Sequence, residues 1–322
     1  MILAHLAAIG LALIIDWLIG DPRLLPHPVV WIGRLISKLE SLFYHKTKKY
    51  NGVVLLILVL SIVFAVTFAL VYGAYMVHYL FGLFIEAFIM SSAFARRSLK
   101  EAAYEVYDPL RMNDLTEARL KLSYIVGRDT EHLEEAEIVR GTVETVAENT
   151  TDGITSPMFF GLIGGAPLAM VYRAVNTCDS MLGYKNEKYL HFGWASARFD
   201  DLMNYIPARI TGLIMMLNKM RHRYFTKREA LQILFSDAKK HPSPNGGWTE
   251  TAVAVLLGIQ LGGWNSYEGV ASFRETMGRK IDELVPYHIV ETVKIMNVTV
   301  LSFYLFISLL GGLVYVVAKA WC

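Results

Sequence analysis

The sequence predicts an all-α fold, a polytopic helical membrane protein with a cytoplasmic helical insert and broken or re-entrant helices. Three observations carry this. Apolar side chains make up 54% of the 322 residues, against roughly 45–50% in soluble domains, and the mean hydropathy is +0.38. Several uncharged runs approach or exceed the ~20 residues that cross a hydrocarbon core as a helix. Between them lie charged stretches with helical spacing and apolar stretches interrupted by Pro and Gly.

The first run covers residues 1–19. It lacks a basic start and a small-residue cleavage site and carries Asp16, so it reads as a retained membrane helix rather than a cleaved signal. From Gly52 to Met90 the only formally charged residue is Glu86. As a single helix this stretch would measure about 58 Å, nearly twice a core of ~30 Å. Two spans, 52–72 and 74–90, with a turn at Gly73, fit better. Residues 296–318 contain no charge and form the last firm span.

Residues 91–148 change character. Glu, Arg and Lys alternate with Leu, Ala and Val at helical spacing, as expected for a helical insert outside the bilayer. Asp108-Pro109 predicts a break in it, and Asp129-Thr130 predicts the cap of a last helix from about Glu131 to Glu148.

Two further segments are ambiguous. Residues 154–175 are apolar enough to span, yet Pro157, Gly161, Gly164, Gly165 and Pro167 all weaken a regular helix. Residues 204–218 are short and contain Pro207 and Arg209. Irregular backbone at membrane depth needs protein or water to satisfy it, as around a binding site. Residues 20–51 hold six Lys/Arg against two acids, and 219–228 hold five against none, so both face the cytoplasm by the positive-inside rule. Parity then requires that both ambiguous segments cross or neither does. Neither crossing keeps the polar stretch from Asn176 to Asn204 on the same side as the other acidic motifs. The chain reads as a single integral membrane domain, 1–322, of the cell membrane, with its polar segments on the cytoplasmic face. It has no internal repeat and no low-complexity linker.

Composition excludes several function classes. A net charge of +2 gives no basic surface of the kind nucleic acid requires; the lipid bilayer is the partner it does imply. Cys178 and Cys322 have no paired spacing for a disulfide framework or a zinc site. Phosphate loops of the GxxxxGK[ST] type, dinucleotide GxGxxG fingerprints, GxSxG elbows and HExxH helices are absent.

Chemistry concentrates in a few polar stretches. Glu144 and Glu148, four apart, share a helix face, so a cation could lie between them and Asp152 just beyond. A solvated acidic face would look the same, but the run Asn149-Thr150-Thr151-Asp152-Gly153 is too polar and uncharged to serve only solubility. Arg173, Asn176 and Asp179 fall at three-residue intervals on one helix face. Arg suits phosphate through its planar fork, and Asp suits Mg²⁺ as a hard oxygen ligand; an internal Arg-Asp pair is the simpler account. Cys178 between them reads as a packed thiol. Asp200 and Asp201 are adjacent carboxylates before an apolar segment, costly to desolvate unless a cation or Arg partners them. Asp200 could instead cap the next helix, and Asp201 could pair with Arg198. Two Pro-stiffened loops each present a histidine, His27 and His241. In the second, Asn245 precedes Gly246-Gly247, where backbone could approach a ligand closely, although either loop could be purely structural.

Taken together, these stretches resemble the CobD/CbiB family of cobalamin biosynthesis, the adenosylcobinamide-phosphate synthases. The resemblance rests on GDPRLLPHPVVWIGRLI (20–36), ETVAENTTDGITSPMFFGLIGGAPLAMVYRAVNTCDSMLGY (144–184), ARFDDLMNYIPARIT (197–211), and HPSPNGGWTE with GIQLGG (241–263). Four ordered motifs spread along the chain make it specific. Cys178 departs from the aliphatic residue expected there.

The resemblance implies a multi-pass enzyme that joins the carboxylate of a corrinoid, adenosylcobyric acid, to (R)-1-aminopropan-2-ol O-phosphate or aminopropanol. ATP with Mg²⁺ is the implied source of activation, through an acyl phosphate. On this reading Glu148, Asp152, Asp200 and Asp201 hold metal, and Asp179, Arg173, Asn176 and His241 carry catalysis, His241 or a carboxylate taking the amine proton. Arg209, Asn149, His27, Asn245 and Gly246 bind substrate or phosphate. The four motifs are expected to build one site at the cytoplasmic membrane face. Self-association, or association with other corrin-pathway membrane enzymes, is compatible with such a protein. Two rivals are a transporter, which Pro/Gly breaks beside charge can also mark, and a regulatory sensor related to the family. Charge is scarce inside the firm spans, against the first; the full set of acidic and His/Pro motifs argues against the second.

Overall fold

A computed structural model describes residues 1–20, 27–46, 48–184, 186–218 and 224–321. The loop 21–26 of the first motif, the basic residues 219–223 and Cys322 lie outside the described residues. The chain folds into twelve α-helices among the described residues and one β-hairpin. In order they are α1 (Ile2–Leu18), α2 (Pro28–Phe43), α3 (Lys49–Val77), α4 (Tyr79–Ser91), α5 (Arg96–Arg111), α6 (Leu115–Ser123) and α7 (Glu135–Thr150). A π-helical turn, Thr151–Thr155, leads into α8 (Ser156–Leu182), followed by α9 (Trp194–Asn218), α10 (Lys227–Asp237) and α11 (Gly246–Leu257). The strands β1 (Gln260–Tyr267) and β2 (Val270–Gly278) precede the long α12 (Tyr287–Trp321). The all-α membrane class holds, with the hairpin as an addition that the sequence pattern did not reveal.

Four helical runs are long and apolar enough to cross a bilayer: Lys49–Val77, Tyr79–Arg111, Glu135–Leu182 and Tyr287–Ala320. The N-terminal helix Ile2–Leu18 is apolar but shorter. Outward positions of α3 and α12, such as Phe64, Phe68, Leu309 and Leu313, expose large apolar side chains, the pattern of lipid-facing helices. The turn expected at Gly73 falls instead at His78, whose backbone is extended (φ −165°, ψ 142°). Its Nδ1 accepts from the Leu80 amide at 3.2 Å, capping α4, while one glycine inside α3 costs only ~1 kcal/mol.

The chain divides into two compact units. The first comprises Met1–Arg96, Asp152–Asn204 and the end of α12 from Tyr304. Within it α1 packs on α4 and α8, and α3 packs on α4 and α8. Helix α8 is broken where the sequence pattern pointed: Gly164 (φ −145°, ψ 28°) and Gly165 (φ 64°, ψ −159°) leave helical geometry. Helix resumes at Ala166, so Pro167 sits in a first turn, where its missing N–H leaves no bond unmade. The freed Ala166 amide donates to Glu86 Oε1 at 3.3 Å. Glu86 is fully buried, approached by His5 Nδ1 at 2.8 Å and accepting from the Tyr75 hydroxyl at 2.6 Å. The one formal charge between Gly52 and Met90 is thus held by three donors and caps a broken helix. A side chain at Gly165 would collide with it, since a Cβ there would lie 2.2 Å from Glu86 Oε1.

The second unit comprises Arg97–Thr151 and Tyr205–Phe303. Helix α7 is its centre, packed against α6, α11 and β1. Two expected boundaries move. Helix α5 runs through Pro109 to Arg111 and stops at Asn113, which adopts φ 57°, because a proline in the last turn breaks few remaining bonds. Helix α7 starts at Glu135 rather than after Asp129, with the Glu137 carboxylate reaching back to the Glu134 amide at 3.0 Å. Asp129 is used elsewhere: it accepts from Ser266 Oγ at 2.5 Å and from the amides of Glu268 and Gly269 at 3.0 and 2.8 Å. Those amides form the two-residue hairpin turn, with positive φ at both Glu268 and Gly269, as a type I′ turn requires. The strands pair antiparallel from Gln260–Gly278 to Tyr267–Val270, with a bulge between Leu261 and Gly263.

Candidate active site

Each unit holds a polar cluster built from the motif residues. In the first unit, α8 presents Arg173, Asn176 and Asp179, and α9 presents Asp200, Asp201 and Asn204. Helix α9 begins at Trp194, so Asp200 lies inside a helix and caps nothing. Its carboxylate is buried and accepts from Asn204 Nδ2 at 3.0 Å and Asn176 Nδ2 at 3.5 Å. Asn204 Oδ1 in turn accepts from Ser156 Oγ at 2.6 Å and from the Tyr172 hydroxyl at 2.7 Å. Burial, with the Asp179 carboxylate nearby, pushes Asp200 up to about 7. Two acids share a site that can hold one full negative charge more easily than two. Asp201, by contrast, reaches Arg198 at 3.8 Å, the simpler pairing foreseen for it. Asp152 sits in the π-helical turn at the head of α8. Cys178 is a buried free thiol, a packing residue as read. His27 caps α2, its Nδ1 accepting from the Val29 amide at 3.3 Å, and borders an apolar cavity of about 540 Å³ lined by α1–α4 and by Met170 of α8.

The second unit gathers Glu148 from α7, His241 from the loop before α11, and Glu250 from α11. One donor atom from each lies within 4.8 Å of the others. Among the described residues this is the one set of three or more metal-type ligands that converges so closely; Asp152, Asp200 and Asp201 form no such triad. His241 Nε2 lies 3.2 Å from Glu250 Oε1 without hydrogen-bond alignment. That nitrogen and both Glu250 oxygens are buried with no hydrogen-bond partner. Burial opposes charge on His241, but the Glu250 and Glu148 carboxylates outweigh it and push the imidazole up to about 9. Burial pushes Glu250 up to about 7, against the pull of His241. His241 Nδ1 is oriented by Ser243, whose amide lies 3.0 Å and carbonyl 3.2 Å away.

Gly246 and Gly247 make this packing possible. A Cβ at Gly246 would lie 2.8 Å from Glu148 Oε1, and one at Gly247 would lie 2.2 Å from the Ala238 carbonyl. Arg209 and Asn245 meet at 3.3 Å, and the Arg209 guanidinium lies 3.4 Å from the Tyr205 ring centroid. Asn149 donates to the Thr145 carbonyl at 2.9 Å. Glu144, one of the acids that could have shared a cation, is occupied: it accepts from Arg128 at 2.5 Å and from the Gly262 amide at 2.9 Å. Its job is to anchor the hairpin, which Arg140 also grips through the Gly262 and Trp264 carbonyls at 2.5 and 2.6 Å.

The sequence pattern brought forward Glu148 and His241 but passed over Glu250, Asn204, Ser156 and Tyr172. Asn204 stood four residues after Asp200, a helical spacing that could have been read. Glu250 lay nine residues from His241 across a loop and a helix start, and no simple period links them.

A family model described as CobD/Cbib protein matches residues 9–296. The chain is 52% identical to the cobalamin biosynthesis protein CobD of Halalkalibacterium halodurans, over 98% of this chain and 100% of that protein. It is 49% identical to the protein of the same name from Geobacter metallireducens, over 86% of this chain and 88% of that one. It is 45% identical to the cobalamin biosynthesis protein CbiB of Salmonella paratyphi B, over 94% of this chain and 97% of the other. No solved structure matches. The motifs, the broken membrane helix and this near full-length similarity converge, and the chain belongs to the CobD/CbiB family.

Proposed function

We propose that the chain is an adenosylcobinamide-phosphate synthase, an acid–amine ligase working at the cytoplasmic face of the cell membrane. The observation that carries this is the near full-length similarity to proteins named for cobalamin biosynthesis. The substrates are adenosylcobyric acid and (R)-1-aminopropan-2-ol O-phosphate or aminopropanol. A carboxylate does not condense with an amine unaided, so ATP supplies an acyl phosphate, and attack by the amine releases phosphate and leaves the amide.

The first-unit cluster suits the activation step. Phosphoryl transfer to a carboxylate crowds negative charge, which catalysis relieves by positioning and by cations. Asp152, Asp179, Asp200 and Asp201 are a hard-oxygen donor set of the kind Mg²⁺ prefers. The Asp179–Asp200 pair carries charge that a cation would relieve, so these residues fit the ion. When bound, Mg²⁺ would neutralise phosphate oxygens. Arg173, about two turns before Asp179 on α8, is assigned to a transferring phosphoryl group because its planar fork suits phosphate. Asn176 and Asn204 hold the Asp200 carboxylate in one orientation. Arg209 with Asn245, and Asn149, are assigned to substrate anions. His241 is a poor free base at neutral pH because its carboxylate neighbours keep it protonated. A carboxylate of the first-unit cluster takes the amine proton more readily.

The test is complementation. Expressed in a bacterium lacking its own family member, the chain restores conversion of cobyric acid to cobinamide products, and the Asp179→Ala and Arg173→Ala variants do not. Full conversion by both variants overturns the residue assignment; no conversion by the unaltered chain overturns the function.

A further inference from the structure

We propose that Glu148, His241 and Glu250 form a second cation site, one that binds a first-row transition metal of the Fe²⁺ or Zn²⁺ type in preference to Mg²⁺. Three segments remote in sequence bring these side chains together: α7, the loop 241–245 and α11. Their donor atoms lie within 4.8 Å of one another, leaving space for an ion to draw them inward. The His241 and Glu250 side chains are 5% and 1% exposed. Their facing atoms, His241 Nε2 and both Glu250 oxygens, have no hydrogen-bond partner. The His241 imidazolium, 3.2 Å from Glu250 Oε1, offsets part of the buried charge, but a buried carboxylate with neither oxygen hydrogen-bonded remains costly. A bound cation removes that cost.

The donor set selects the metal. Mg²⁺ demands near-octahedral oxygen and keeps its waters, whereas imidazole with carboxylates suits Zn²⁺ and Fe²⁺. Two carboxylates and a neutral imidazole also cancel a divalent charge. The Ser243 carbonyl, 3.2 Å from Nδ1, can accept from Nδ1–H both in the protonated ring and when Nε2 holds metal. Such an outer hydrogen bond accompanies most metal-bound histidines. The glycines at 246 and 247 leave no room for a Cβ beside these ligands, so the site is closed tightly on one side. Three protein donors leave coordination positions open. Arg274 lies in the electrostatic field of Glu148 and Glu250 and would favour an anionic ligand there.

The experiment uses the full chain purified in detergent and stripped with chelator, without ATP or corrinoid, so its outcome is independent of the ligase reading. Mn²⁺ is the probe, read by pulsed electron paramagnetic resonance. The expected result is one Mn²⁺ per chain that shows ¹⁴N coupling from imidazole, whether or not the first-unit acids hold another through oxygen, and that coupling is lost in His241→Ala. Zn²⁺ displaces this ion at a concentration at least 100-fold below that needed for Mg²⁺, and Glu250→Gln raises the Kd for Mn²⁺ at least tenfold. The absence of any nitrogen-coupled Mn²⁺, nitrogen coupling that survives His241→Ala, or Mg²⁺ competing as well as Zn²⁺ for the nitrogen-coupled ion would each overturn the proposal. The nitrogen coupling is read in the unaltered chain, so the test does not depend on a variant folding.

Discussion

Replacing Asn204 by alanine isolates the polar network that fixes the Asp200 carboxylate. In the native fold Asn204 Oδ1 accepts from two buried hydroxyls, Ser156 at 2.6 Å and Tyr172 at 2.7 Å, and its Nδ2 donates to Asp200 at 3.0 Å. The substitution orphans two donors and takes one of two asparagine amide donors from a buried carboxylate. A buried polar group left unbonded costs about 1–3 kcal/mol, and the hydroxyls can rotate to recover part of it, so a net loss of about 2–5 kcal/mol is expected. Tyr172→Phe removes only one donor and should cost about 1 kcal/mol. The double variant should lose less than the sum, because both act on the same oxygen. The assay is unfolding of the purified chain in detergent, with the ligation rate measured in parallel. An Asn204→Ala protein within about 0.5 kcal/mol of the native chain, or strictly additive losses, would refute the network as described.

Three further expectations follow from the same geometry. Glu86→Ala strips the Ala166 amide, the Tyr75 hydroxyl and His5 of their shared acceptor, so it should lower stability by about 2–4 kcal/mol, seen as a lower melting temperature; an unchanged melt contradicts the capping role. Gly247→Ala puts a Cβ 2.2 Å from the Ala238 carbonyl, and should cost about 1–3 kcal/mol by overpacking and weaken metal binding at His241; a neutral result shows that the loop gives way. Because burial and Asp179 raise Asp200 to about 7, above an unfolded value near 3.9, the folded state binds the extra proton across that window. Its contribution is fully present below about pH 4 and is lost as pH rises through about 7. Metal-free protein should therefore be less stable at pH 8 than at pH 5, Asp200→Asn should flatten the profile, and Mg²⁺ should stabilise more at pH 8. Parallel melts at both pH values decide it.

Much of the fold was legible in the sequence, since hydropathy and helical spacing are local signals. The break in α8 was written as Gly164, Gly165 and Pro167, because φ 64° with ψ −159° is open essentially to glycine alone and a proline fits a restarting helix. The hairpin was not legible. Its strands carry Gly262, Gly263 and a bulge, which erase the alternation that marks a strand, and its turn is held by Asp129, more than a hundred residues away. The same Asp129 pointed to a helix start because an Asp-Thr pair looks the same whether it caps a helix or a hairpin. Within the candidate site, residue type picked out Asp179, Asp200, Glu148 and His241. The partners that decide their protonation and orientation, Asn204, Tyr172 and Glu250, were hidden, because neutral or helix-buried side chains acquire meaning only from what the fold sets beside them.

The central claim is most directly tested by the mass of the product. Purified protein is incubated with adenosylcobyric acid, ATP and Mg²⁺, and with either (R)-1-aminopropan-2-ol O-phosphate or aminopropanol. The account predicts a new amide, adenosylcobinamide phosphate with the first amine or adenosylcobinamide with the second, formed only when ATP is present and matched by ADP. No corrinoid amide with either amine, from protein shown to be folded, would contradict it.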